Sequence, residues 1–346
     1  GGVMQTPWSE GQNVRHLEPL GFIKFDLLGL STLRMISGAI RHVLKRHHGI
    51  EEPTFEQVRA FYDEKLHPDV IDFDDQGVWK NIFHKGKWAG VFQMTSGPAQ
   101  AFCQEAKPES LMDFAAITAI FRPGPLSAKA DKMYIANKSN PDQVEYKHPL
   151  IEEVLGDTYG LLVFQEQLAM LAHKLGDNIS LDEGNLLRKV LTKRGTGKDS
   201  VRDQIYAKFV KGCNDKGLSE QVAKDLWAKM VFFSGYGFNL SHAVSYGAVS
   251  FQCAWLAHYY PTEWIAAFLD KEPEKRKMAA INTAKKFGFN IVPASINKSG
   301  MVWEISEDGQ NLIQPLTAIK GLGSTAIQQI LDHRPFNTIE EFIFNE

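Results

Sequence analysis

Cysteine is scarce: Cys103, Cys213 and Cys253 are the three in 346 residues, and they lie far apart. None forms a Cys-x-x-Cys pair, which argues against a disulfide framework and against a thiolate zinc site. Long apolar runs are absent, so no segment is written to cross a membrane as a helix. The first residues lack the basic stretch and apolar stretch of a secretory leader. A reducing cytoplasm is expected. An excess of positive charge is missing too, since the net charge is −3. That argues against a chain sheathed throughout in basic residues, although local basic patches can still meet phosphate. What is present is an ordinary globular composition, 44% hydrophobic and 23% charged. The length suits two or three domains.

The most informative stretch is Gly235-Tyr236-Gly237-Phe238-Asn239-Leu240-Ser241-His242-Ala243-Val244-Ser245-Tyr246-Gly247. Two glycines bracket a tyrosine and loosen the backbone. Asn239, Ser241 and His242 are short polar groups able to bond phosphate or base. Ser241 is the expected N-cap of an apolar helix over Ala243–Ala257. A loop that delivers polar side chains and free N–H groups to a helix start suits an anion. The same residues also fit a tight turn into a buried helix.

Elsewhere the pattern is mostly helical. Phe22–Leu30 alternates like a strand, which puts Lys24 and Asp26 on one face; on spacing alone a surface ion pair is the commoner explanation. Ser31 is expected to cap a helix through Leu44 that ends in basic residues and the pair His47-His48, where cations are favourable. Asp72-Phe73-Asp74-Asp75 could hold a cation, but a cap on the helix at Gly77–Phe83 is simpler. The apolar run Phe114–Phe121 leads to Arg122-Pro123, and the proline holds the arginine outside the helix. Gln165–Leu175 and Asp182–Lys193 read as helices. In the second, Leu187, Val190 and Leu191 share one side, while Arg188, Lys189 and Lys193 lie on another, followed by Arg194 and a glycine stop. Residues 201–232 read as two helices parted near Lys216-Gly217, and 270–277 as a charged link. Residues 301–313 alternate like a short hairpin. Lys320-Gly321-Leu322-Gly323-Ser324 offers a backbone turn able to approach a phosphate before a helix.

These segments, in this order, resemble the bacterial replicative DNA polymerase III alpha subunits, the C-family polymerases. The family carries Gly-Tyr-Gly-Phe-Asn-x-Ser-His-Ala, as at Gly235–Ala243, and Lys-Phe-Asp-x-Leu-Gly-Leu, as at Lys24–Leu30. It also carries Tyr-Gly-x-x-x-x-Gln-Glu-Gln, as at Tyr159–Gln167. Gly90–Ser96 resembles Gly-x-Phe-Gln-Leu-Glu-Ser with Thr95 in place of the glutamate. The region of Arg188 resembles Leu-Arg-Arg-x-x-x-Lys-Lys, with Lys189 for the second arginine and Arg194 for the second lysine. A lysine at 189 cannot make a bidentate fork.

The resemblance implies an α+β, predominantly α-helical fold. It implies the end of a palm over residues 1–57, fingers over 58–270, and distal fingers with the start of a helix-hairpin-helix region over 271–346. It implies a chain that is a fragment or one piece of a split protein, needing an upstream palm segment. Asp26 would be the third palm carboxylate on the catalytic magnesium ions, Mg2+. Lys24, Arg122, Arg188, Lys189, Lys193 and Arg194, with Asn239, Ser241 and His242, would meet the incoming dNTP. Lys320, Gly321 and Gly323 would meet primer-template DNA. A sliding clamp and other replisome subunits are the implied protein partners. Two rivals remain at this point: an inert DNA-binding piece of a split polymerase, and a hydrolase built on Ser241 and His242.

Overall fold

The structure is a computed structural model that describes residues 16, 18–23, 25, 28–192 and 199–344. Lys24, Asp26, Lys193, Arg194 and the expected glycine stop at 195–197 lie outside the described residues. Helices dominate, and among the described residues one three-stranded sheet accompanies them.

The strand expected at Phe22–Leu30 is not formed at its described positions. Phe22, Ile23 and Phe25 are 63%, 77% and 78% exposed. A strand requires a ladder partner, and no described strand pairs with this segment. Helix α1 follows (Ser31–His48). Its N-cap is Leu30, so Ser31 is the first helical residue rather than the cap. It runs one turn beyond Leu44 to Gly49, whose left-handed φ of 68° closes it. That last turn has a use: Arg46 and His47 both bond the buried carboxylate of Glu263. The basic end of α1 is therefore an anchor, which the His47-His48 pair alone did not suggest.

The largest core gathers α1, α2 (Phe55–Lys65), α3 (Gln76–Val78), α4 (Gly97–Ala106), α5 (Leu111–Ile120), α7 (Ala130–Ser139) and later helices, while the short α6 (Pro123–Ser127) buries none of its residues. Asp75 caps α3 as expected, accepting from the Gly77 and Val78 N–H groups at 2.8 and 3.3 Å. Its other oxygen accepts the Tyr259 hydroxyl at 2.7 Å. Helix α5 is buried nearly all round, as an interior helix must be. Its Phe114 joins Trp79, Phe83 and Phe251 in an aromatic cluster, with centroids 4.5 to 5.0 Å apart along Trp79–Phe83, Trp79–Phe251 and Phe83–Phe114.

A second core joins α8 (Pro149–Leu155), α9 (Gln165–Leu175), α10 (Leu181–Thr192), α11 (Asp199–Asp215) and α12 (Glu220–Ser234). Leu187, Val190 and Leu191 are buried, as their spacing requires. Gly217, with φ of +86°, parts α11 from α12. Trp227 and Met230 are core. The chain then returns to the first core through α13 (Leu240–Tyr259) and α14 (Pro261–Lys271). The charged link shrinks to two residues, because α15 already begins at Glu274 (Glu274–Lys286). Strands β1 (Asn290–Val292), β2 (Glu304–Ile305) and β3 (Asn311–Ile313) follow, with β2 and β3 forming the antiparallel hairpin and β1 parallel to β3. Helices α16 (Ser324–His333) and α17 (Ile339–Ile343) end the described chain; Leu316, Ile327, Ile330 and Phe336 make a third, small core. Among the described residues no helix is long and apolar enough to cross a membrane.

All three cysteines are free and buried. Burial raises each thiol, to about 11 for Cys213 and about 12 for Cys253, and raises Cys103 further. The thiolate is the reactive species. A thiol reagent at pH 8 is therefore expected to label the native chain slowly and to titrate three thiols after unfolding. One fast equivalent in the native state would place a cysteine at the surface.

Candidate functional site

The turn between α12 and α13 is where the two larger cores meet. Phe238 forms a parallel bridge with Phe164. The Gln165 N–H donates to the Phe238 carbonyl at 2.8 Å, and the Phe238 N–H donates to the Val163 carbonyl at 3.2 Å. The start of α9 is thus zipped to the turn. Neither Gly235 nor Gly237 has a left-handed φ. Gly237 is required by close approach instead: a Cβ there would stand 2.8 Å from Gln165 Cγ and 3.0 Å from the Phe233 ring. A Cβ on Gly235 would meet nothing within 4 Å.

Two arginines hold this turn, one directly and one through Gln165. Arg122, extended at φ −143° just ahead of α6, donates from Nε to the Ala119 carbonyl at 2.8 Å and from Nη2 to the Tyr236 carbonyl at 2.6 Å. Its guanidinium lies 4.5 Å from the Phe238 ring centroid, a cation–π distance. Burial lowers its pKa from the ordinary arginine value. From α10, Arg188 donates Nη1 to Gln165 Oε1, and Gln165 Nε2 donates to the Gly237 carbonyl at 2.9 Å. Arg188 is half-buried, and Lys189 beside it is exposed.

The helix start differs from expectation as well. The N-cap of α13 is Asn239, whose Oδ1 accepts the His242 N–H at 2.8 Å and the Ser241 hydroxyl at 2.7 Å. Ser241 lies inside the first turn because a cap oxygen must reach the N–H two or three residues ahead. The Leu240 N–H is also taken: Glu166 Oε2 accepts it at 2.9 Å, while Glu166 Oε1 accepts Asn239 Nδ2 at 3.1 Å. The protein's own carboxylate therefore sits where an anion was expected. The His242 ring packs 4.1 Å from Tyr246, and Ser241 bonds Asn239 rather than a histidine, so the pair is not a nucleophile and base. Asn239, Ser241 and His242 remain exposed.

Five of the expected residues, Arg122, Arg188, Asn239, Ser241 and His242, thus converge on one turn, directly or through Gln165. Two participants were missed, Gln165 and Glu166, although they stand in the Gln-Glu-Gln segment. Glu166→Ala is expected to destabilise the chain by about 1.5–3 kcal/mol, the range for a charge-assisted bond, as α13 loses its second cap. Glu166→Gln should lose less. Equilibrium unfolding in denaturant checks both.

Lys320, Gly321 and Gly323 lie apart in the third core's surroundings and are exposed. Gly321 has φ of +92°, Gly323 is the N-cap of α16, and a Cβ at either would meet nothing within 4 Å. Among the described residues no three His, Cys, Asp or Glu side chains gather as a metal cluster, and Asp26 lies outside them. The described residues do not by themselves fit a magnesium site.

Comparison with known proteins agrees with the motif order. A family described as the bacterial DNA polymerase III alpha subunit finger domain matches residues 37–217, and a helix-hairpin-helix motif matches residues 288–345. The chain is similar to the DNA polymerase III subunit alpha of Campylobacter jejuni, 34% identical over 335 residues, covering 95% of this chain and 26% of that protein. It is 34% identical over 333 residues to the Aquifex aeolicus protein of the same description, covering 94% and 27%. The corresponding protein of Halalkalibacterium halodurans is 31% identical over 336 residues, covering 96% and 28%. The chain spans about a quarter of the length of the curated relatives it matches. With a finger-domain match over more than half of its residues and relatives aligned along nearly all of it, the chain belongs to the bacterial DNA polymerase III alpha subunit family.

Proposed function

We propose that this chain supplies the nucleotide-meeting fingers of a template-directed DNA polymerase, flanked by the end of a palm and the start of a DNA-binding helix-hairpin-helix region. The observation that carries this is the convergence of Arg122 and Arg188 on the Gly235–His242 turn, with Asn239, Ser241 and His242 exposed beside them. A triphosphate arriving there meets two guanidiniums already oriented by backbone and amide oxygens, which limits reorganisation on binding. It also meets Glu166, and like charge should turn the phosphate toward the arginines rather than into the helix start. Lys189 adds an exposed cation one residue along α10. Lys24, Lys193 and Arg194 are assigned to the incoming nucleotide by family resemblance alone. Asp26 is assigned by resemblance to the family's palm metal site.

Lys320 and the Gly321–Gly323 turn offer backbone N–H groups to a phosphate of primer-template DNA, independent of base sequence. The remaining palm, a sliding clamp and other replisome subunits are the proposed protein partners. By itself the chain is proposed to bind DNA without extending a primer.

Primer extension tests the proposal. The chain alone should give no incorporation with Mg2+ and dNTPs; joined to the N-terminal portion of a relative, it should. In the joined enzyme Arg188→Ala should lower kcat/KM for the nucleotide by about ten- to a hundredfold, one charge-assisted phosphate bond. It should also lower the melting temperature by a few degrees, because Gln165 loses its partner. Lys189→Ala should leave the melting temperature nearly unchanged, since an exposed charge contributes little to folding. Unchanged nucleotide kinetics in Arg188→Ala would refute the assignment, and incorporation by the chain alone would refute its dependence on a partner. Persistent inactivity after joining, with DNA binding intact, would favour an inert DNA-binding piece.

A further inference from the structure

Between the two larger cores lies a cavity of about 760 Å³, inside the roughly 300–1,000 Å³ of small-molecule sites. Both cores contribute walls, Ile120 and Val163 from the first and Ile151 and Leu226 from the second. One side is aromatic: the Phe232 and Tyr236 rings are 5.6 Å apart. Phe232 is 61% exposed and Met133, which also lines the cavity, is 50% exposed. Large apolar side chains left open around a concavity mark a site for an apolar ligand. Charge at the cavity balances, with Lys147 and Lys229 against Glu145 and Asp225, and Lys147 is paired with Glu145. Such a lining offers no net field to an ion and favours a neutral ligand.

We propose that this cavity binds an uncharged aromatic small molecule and that its occupation fixes the turn carrying Tyr236. Tyr236 is the link. Its ring is a wall of the cavity and packs against Gly124, where a Cβ would stand 2.0 Å from Tyr236 Cδ1. Its carbonyl accepts from Arg122. A ligand against the ring therefore restricts the same peptide that Arg122 holds, and it ties together two cores that otherwise meet at this turn. Binding stands independently of the proposed function; only an effect on nucleotide use rests on that reading.

N-Phenyl-1-naphthylamine, a neutral aromatic whose fluorescence rises in apolar surroundings, is the probe. The folded chain should bind it saturably, one per chain, and should melt at a higher temperature with probe present. Ala228 lines the cavity and is exposed, so Ala228→Trp should fill the space and weaken binding at least tenfold while circular dichroism stays native. Met133→Trp should do the same, and serves if Ala228→Trp misfolds. Ala279→Trp, on the exposed face of α15, should bind as the parent does. Absence of saturable binding, parental binding by both cavity-filling variants, or an equal loss in Ala279→Trp would each overturn the proposal. A joined parent enzyme that incorporates no nucleotide yet binds the probe would count against the proposed function and leave the cavity site standing.

Discussion

Gly212→Ala is expected to destabilise the chain by about 3 kcal/mol or more, at the upper end of overpacking effects. Helix propensity points the other way: alanine in the interior of α11 should gain about 1 kcal/mol over glycine. Sterics decide the sign. A Cβ at 212 would stand 2.2 Å from the Asp177 nitrogen, 2.3 Å from the Gly176 carbonyl carbon and 2.4 Å from the Leu175 carbonyl oxygen. These are backbone atoms at the end of α9, and no rotamer change can clear them. The same crossing is locked by the Asp177 N–H donating to the Lys208 carbonyl at 2.9 Å. Relief would require α11 to lift from α9, opening the second core that supports α10 and Arg188. Gly235→Ala is the control: the position is open, its φ is −74°, and the melting temperature should hold. Thermal and denaturant unfolding of the two variants side by side measures the difference. Equal stability of Gly212→Ala and the parent would mean that the helices are not in backbone contact.

The second large effect is expected at Arg122. Arg122→Ala removes two hydrogen bonds from a half-buried cation and its contact with the Phe238 ring. Charge-assisted bonds contribute roughly 1.5–3 kcal/mol each. Water can replace the arginine at the exposed Tyr236 carbonyl, so the net loss is placed at about 2–3 kcal/mol rather than at the sum. Arg122→Lys should recover at most half, because an ammonium cannot span both carbonyls and lie flat on the ring. In the joined enzyme the unpinned turn should reduce nucleotide kcat/KM by at least about tenfold for Arg122→Ala. Melting curves and steady-state incorporation are the paired measurements. Parental values in both would show that Arg122 neither holds the turn nor meets the nucleotide.

Sequence by itself determined the family, through ordered motifs that need no coordinates to recognise. It also determined most helices, since periodic burial is a local property: Leu187, Val190 and Leu191 face inward because their spacing leaves them on one side of α10. Local chemistry placed the Asp75 cap, the break at Gly217 and the hairpin of β2 and β3. Features that depend on a distant partner were decided by the tertiary structure. The segment at Phe22–Leu30 has an alternating pattern yet no described ladder, because strand formation is a property of two segments. Gly237 is needed for the approach of Gln165 and Phe233, one of them 72 positions away, and not for its own φ. Glu166 closes the start of α13 from 74 positions upstream, which no capping rule within α13 can anticipate. Arg122 and Arg188 read alike as phosphate-seeking cations, and only packing commits each of them to an oxygen that fixes its direction before any ligand arrives. Range is the physical reason: periodicity and caps act over a few residues, whereas the site is assembled by contacts between segments that the chain keeps far apart.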